Sequence, residues 1–152
     1  MTTAKQGKAL DIKDSRILIA GAASLVGSHT ADLLLEAGAR EVLLLDNFSF
    51  GSMEAIAHLQ DNPRIKIVRA DLMRLPDLLD ATAGVDGVIH LAAYMTLGFS
   101  QTPWQAVDVN IRGAQNMLEA CRINKVKKII FASSNATYGY GPGIKGALVE
   151  DT

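Results

Sequence analysis

The sequence predicts an α/β fold, a parallel β-sheet with helices on both faces. Three observations predict it. Short apolar runs, several rich in β-branched residues, recur along the chain, most without clean two-residue alternation, as strands buried on both faces do. Helix-like segments separate them, so successive strands are joined by right-handed crossovers. The chain has 152 residues, 49% hydrophobic and 20% charged, which makes one domain with enough core to cover a sheet.

Each element has its own warrant. Residues 1–13 read as a polar tail, because Lys5, Lys8, Asp11 and Lys13 leave no apolar stretch there, and 14–152 read as the domain. The strands are the apolar runs at 17–20, 42–45, 65–68, 85–91 and 128–131. A helix is predicted over 25–37, where Leu33, Leu34 and Leu35 precede Gly38 at the stop. Two shorter helical stretches follow, at 52–59 with Ser52 as its N-cap and at 76–83 ending near Gly84. The longest spans 102–124 and opens on Thr102 as N-cap with Pro103 at its first position. Within it Trp104, Val107, Ile111, Ala114, Leu118 and Cys121 are spaced 3, 4, 3, 4 and 3, a heptad-type seam expected to pack on the sheet, with a dimer seam as the alternative. Cys121 on that seam reads as a small buried hydrophobe.

Composition excludes several function classes. Fifteen Lys and Arg against sixteen Asp and Glu give a formal charge of −1, so no basic field exists to recruit nucleic acid or an anionic membrane. Residues 17–31 carry no formal charge but hold two glycines and several polar residues, too short and polar to span a bilayer. One cysteine forms no internal disulfide, which fits a reducing cytoplasm. No cluster reads as a metal site.

Chemistry first appears in the turn Gly21-Ala22-Ala23-Ser24-Leu25-Val26-Gly27, between the first strand and the first helix. Gly21 suits a tight turn, Gly27 a close approach of helix to sheet, and the small residues between them let backbone N–H groups approach a pyrophosphate. Ser24 stands where a middle glycine would be; its side chain is expected to crowd the phosphate, so that Ser24→Gly binds at least as well. Asp46 ends the second strand 19 residues after Gly27, where a carboxylate can accept hydrogen bonds from both ribose hydroxyls. That charge repels a 2′-phosphate, and no Lys or Arg lies in 47–52, which favours NAD over NADP. His90, His29 and His58 read as satisfied buried histidines.

Six motifs in order carry a resemblance: the glycine turn through His29, Leu45-Asp46-Asn47, Ala70-Asp71-Leu72, His90-Leu91-Ala92-Ala93, Asp108-Val109-Asn110, and Phe131-Ala132-Ser133-Ser134 with Tyr138-Gly139. Over 16–152 the chain resembles the first half of the extended short-chain dehydrogenase/reductases, the NAD-dependent epimerase/dehydratase family. The resemblance implies a Rossmann-type, doubly wound parallel sheet in the order 3-2-1-4-5, ending after the fifth strand. It implies NAD held by Gly21, Ala23, Ser24, Leu25, Val26, Gly27, Asp46, Asn47, Asp71, Leu72, Leu91, Ala92, Ala93, Asn110 and Ser133, with Ser134 as the catalytic hydroxyl.

The family's acid–base pair, Tyr-x-x-x-Lys, is not found. Tyr140 and Lys145 are five apart with Gly141, Pro142 and Gly143 between them, which no helix would hold in line. Glu150-Asp151 resembles the acidic turn that precedes the family's tyrosine. The expected function is therefore the NAD-binding part of a sugar-nucleotide epimerase or dehydratase that works by transient hydride transfer, the chain alone being inactive. The alternatives are a non-catalytic NAD-binding or regulatory module, and a simple NAD-dependent alcohol or steroid-type dehydrogenase. The expected partner is a nucleotide-sugar, with pairing to a second copy left open.

Overall fold

The computed structural model describes residues 10–95, 100–134 and 137. Five strands form one sheet: β1 (Arg16–Ala20), β2 (Glu41–Asp46), β3 (Ile65–Arg69), β4 (Gly87–His90) and β5 (Lys128–Phe131). Their order is β3-β2-β1-β4-β5 and every pairing is parallel, as expected. α1 (Leu25–Glu36) and a 3-10 helix (Glu54–Leu59) cover one face. α2 (Leu75–Thr82) and α4 (Ala114–Ile123) cover the other. α4 continues from α3 (Pro103–Val107) through a π-helical segment, Asp108–Gly113.

Two cores explain why the strands do not alternate with polar residues. Leu18, Ala20, Leu43, Leu45 and Val88 face α2 and α4. Ile17, Ile19, Val42 and Leu44 face α1 and the 3-10 helix. Both side-chain sets are taken out of water, each large one stabilising by about 1.5–3 kcal/mol. At the foot of the sheet Asp86 accepts from the Arg16 N–H (2.9 Å) and the Lys127 ammonium (2.7 Å). The Lys127 bond holds its carboxyl below the ordinary carboxylate range.

Four expectations change. The stretch at 52–59 is a 3-10 helix from Glu54, in keeping with its shortness, although Ser52 Oγ does accept from the Ala55 N–H at 3.3 Å. Leu10, assigned to the tail, packs against the core, and a Cβ on Gly87 would come 2.7 Å from its Cδ2. The strand expected at 85–91 is confined to Gly87–His90, and among the described residues no helix is long and apolar enough to cross a membrane.

The fourth change is the largest. The heptad seam does not pack on the sheet. Trp104 is 85% exposed, Ile111 54% and Leu118 48%, and of the six seam residues only Ala114 and Cys121 are buried. Ala106, Gly113, Ala114, Met117, Ala120 and Cys121 form the inner face instead. Trp104 and Val107, ahead of the π segment, are already exposed while Ala106 is buried, so the seam is offset from the inner face before that segment begins. Close approach then selects small residues: a Cβ on Gly113 would lie 2.9 Å from Leu72 Cβ. Burial raises the Cys121 thiol to about 11, in keeping with an inert core residue.

Candidate functional site

All the strands point the same way, so the loops that follow them share one edge of the sheet. At the centre of that edge β1 ends and the chain turns at Gly21, whose φ is +82°. The N–H groups of Gly21 and Ala22 both donate to the Leu45 carbonyl (2.9 and 3.2 Å). Ser24 then caps α1, its Oγ accepting from the Gly27 N–H at 3.1 Å and donating to the Gly21 carbonyl at 2.8 Å. The hydroxyl is thus engaged within the turn. Ser24→Ala is expected to cost about 1 kcal/mol in urea unfolding, and Ser24→Gly a few tenths; equal losses would rule out the cap. The N–H groups of Leu25 and Val26 stand in the first helical turn, where no intrahelical acceptor exists. Both side chains are exposed.

Asp46 ends β2 beside this turn. Its Oδ2 accepts from the Ala23 N–H (2.9 Å) and its Oδ1 from the Phe48 N–H (2.8 Å). Each oxygen keeps a second lone pair for a hydroxyl donor. Asn47 Nδ2 reaches Asp71 Oδ2 at 3.1 Å, tying the end of β2 to the loop after β3, and Asp71 Oδ1 also caps Met73 N–H at 2.8 Å. Leu72 is buried in the core that faces α4. The sequence showed no cation in 47–52, but parallel pairing brings one: Arg69 is in register with Asp46, its guanidinium 4.9 Å from the Phe48 ring centroid.

After β4, Leu91 and Ala92 are half-buried and Ala93 exposed. A Cβ on Gly21 would come 2.7 Å from the Ala92 nitrogen, so these two loops are in contact. Asn110, in the π segment, accepts from the Tyr94 N–H (2.7 Å) and donates to the Tyr94 carbonyl (3.0 Å). Ser133 and Ser134 are exposed at the end of β5, and the Ser134 carbonyl accepts from Thr137 N–H and Oγ1. Tyr138, Tyr140, Lys145, Glu150 and Asp151 lie outside the described residues.

The edge therefore brings the glycine turn, Asp46, Asn47 and Asp71 together through hydrogen bonds, and Ala92 through contact. Ser134 follows the strand at the other end from β3, roughly 19 Å away across four strand spacings of about 4.8 Å. An extended dinucleotide suits such a shape, with orphan N–H donors midway, a carboxylate on one side and a hydroxyl on the other. The turn also fits one, since Gly21 and Gly27 leave no side chain there: a Cβ on Gly27 would fall 2.5 Å from the Ala22 carbonyl oxygen. Sequence reasoning missed Arg69, Phe50 and Tyr94, because it followed motifs and not strand register or loop contacts.

The histidines differ from expectation. His29 and His58 are exposed, and His58 Nε2 lies 3.2 Å from Asp32. His90 is buried and stacks on Phe131 (centroids 4.9 Å), but its Nδ1 has no hydrogen-bond partner. Burial lowers its pKa below 6.5, so the folded state holds it neutral. The stability this linkage supplies is fully present above the unfolded value near 6.5 and is lost as pH falls toward the lower folded value. Melting curves between about pH 7 and 5.5 are expected to show a steeper acid loss for the natural chain than for His90→Leu; parallel slopes would refute it.

Comparison with known proteins gives consistent matches. The family described as the NAD dependent epimerase/dehydratase family matches residues 17–152. UDP-glucose 4-epimerase of Dictyostelium discoideum is 34% identical over 131 residues, 83% of this chain and 38% of that protein. An epimerase from Methanothermobacter thermautotrophicus superposes with a TM-score of 0.81 at 27% identity, covering 92% of this chain and 41% of the other. UDP-glucose 4-epimerase of Brucella ovis, solved in complex with NAD, gives a TM-score of 0.73 at 32% identity over 83% of this chain and 38% of that one. The chain thus spans about two fifths of the length of these relatives.

Proposed function

The chain belongs to the NAD-dependent epimerase/dehydratase family, and on that premise we propose that it is the NAD-binding part of an enzyme that remodels a nucleotide-sugar by transient hydride transfer. The observation that carries this is the bond from Ala23 N–H to Asp46 Oδ2, which locks the carboxylate of β2 onto the glycine turn. In this reading the N–H groups of Leu25 and Val26 and the positive end of α1 hold the pyrophosphate. Asp46 accepts from the ribose hydroxyls, Asn47, Asp71 and Leu72 border the adenine, and Ala92 and Ala93 leave room for the nicotinamide half. Bound NAD supplies the hydride acceptor. Ser134 hydrogen-bonds the substrate oxygen from which a proton is withdrawn, stabilising it as a carbonyl forms. A hydroxyl does not itself take that proton at neutral pH, and Tyr-x-x-x-Lys does not occur in these 152 residues. The chain alone is therefore expected to bind without turnover.

Calorimetric titration of the 152-residue chain with NAD and NADP tests the reading. NAD binding at least ten-fold tighter than NADP supports it, and no NAD binding overturns it. Tighter NADP binding would reverse the specificity and point to Arg69. Epimer exchange with UDP-hexoses by this chain alone would show that the proton acceptor lies within it.

The outward stripe of Trp104, Val107, Ile111 and Leu118 supports pairing with a second copy of the chain, and the buried, unpaired Cys121 supports a cytoplasmic setting. Ile111→Glu should shift a dimer to monomer in sedimentation.

A further inference from the structure

Two loops press on the glycine turn at successive points. The loop after β2 does so at Ala23: a Cβ on Gly51 would come 2.7 Å from Ala23 Cβ and 2.7 Å from its carbonyl oxygen, and Ser52 N–H donates to that oxygen at 3.2 Å. The loop after β4 does so at Gly21, through Ala92. Phe50 immediately precedes the first contact and Tyr94 follows the second by two residues. Their rings meet edge to face, centroids 4.9 Å apart at 88°. Phe50 is nevertheless 73% exposed, so the core does not hold its ring in place. Tyr94 is anchored differently, with both backbone polar groups bonded to Asn110.

We propose that Phe50 and Tyr94 form an aromatic clasp across the dinucleotide groove, joining the adenosine-side loop to the nicotinamide-side loop and slowing release of the bound cofactor. The inference rests on the reading of the edge as an NAD site, and it adds two residues that none of the site motifs contains. The pair bridges the loops on either side of the turn where the pyrophosphate would lie, so a dinucleotide running from Asp46 toward Ala92 passes along it. Tyr94 is the fixed jaw, because Asn110 ties it to the helix. Phe50 is the movable one, because its ring is largely in water and reaches its partner from a loop. An edge-to-face pair is weak enough to part for entry and strong enough to retard exit.

The test loads the 152-residue chain with NADH and chases with excess NAD, following the loss of bound-NADH fluorescence in a stopped flow. Phe50→Leu and Tyr94→Leu, which keep apolar bulk but remove a ring, are each expected to speed release about three- to ten-fold. The double variant should release no faster than either single one, because one missing jaw already opens the clasp. Melting temperatures without cofactor show whether the turn survives, and Phe50→Tyr, which restores a ring, should restore slow release. Unchanged release in both single variants, with the natural chain binding NADH, would overturn the clasp and leave the NAD site standing. Additive effects of the two substitutions would overturn it as well. Failure of the natural chain to bind NADH would overturn the site itself.

Discussion

Valine in place of Gly21 is expected to cost about 2–5 kcal/mol of stability and to abolish NAD binding. Two separate penalties add. A left-handed backbone costs an ordinary residue about 1–2 kcal/mol, and a β-branched one tolerates it worst. The φ at Gly21 is +82°, well inside that region. The new Cβ would also sit 2.7 Å from the Ala92 nitrogen and 2.8 Å from its Cα. These are backbone atoms, and they cannot swing aside, because the Leu91 N–H just before them is bonded to the Ala20 carbonyl at 2.9 Å. Forcing the strands apart adds about 1–3 kcal/mol. Gly38→Ala separates the two effects. It has a similar φ of +86° but open space, with Lys13 Cγ the nearest side-chain atom at 3.6 Å. It should cost only about 1 kcal/mol and leave NAD binding intact. Urea unfolding with calorimetry on both variants measures this. A Gly21→Val chain as stable as the natural one would mean that the turn does not pack on the loop after β4.

Leucine in place of Asp46 is the second large effect. Both carboxylate oxygens accept backbone N–H groups, from Ala23 and Phe48. Hydrogen bonds to a charged acceptor contribute about 1.5–3 kcal/mol each when buried, less here because Asp46 is half-exposed. A loss of about 2–3 kcal/mol is expected, with NAD affinity falling at least about 30-fold, some 2 kcal/mol, if the proposed ribose acceptor is the one removed. Asp46→Asn keeps one acceptor oxygen, so it should fall between. Discrimination against NADP should shrink at the same time: the charge that repels a 2′-phosphate is gone, while Arg69 remains in register beside it. Unaltered stability in Asp46→Leu would show that the carboxylate does not organise the turn.

Much of this was legible in the chain because it is local. Apolar runs such as 42–45 report burial on both faces, a small-residue turn after a strand reports a close backbone approach, and an acid at a strand end lies at the sheet's ligand edge wherever the strands are parallel. The five strands, the glycine turn and Asp46 follow from such signals. The fate of the long helix does not. Its heptad spacing is real, yet Trp104, Val107, Ile111 and Leu118 on that seam face water. The face turned to the sheet is held by distant partners, through the bonds of Asn110 to Tyr94 and the contact of Gly113 with Leu72. Those partners lie 16 and 41 residues away in sequence, beyond the reach of any periodicity.

The same reason divides the site. Strand, turn and helix signals are set by near neighbours, so the chain alone tells which residues stand at the ends of which strands. What those residues touch is settled by packing: the Ser24 hydroxyl closing its own turn, Arg69 in register beside Asp46, and the rings of Phe50 and Tyr94 meeting between two loops. Register between strands and contact between loops arise from packing two cores around one sheet, and each is a sum over residues far apart in the chain.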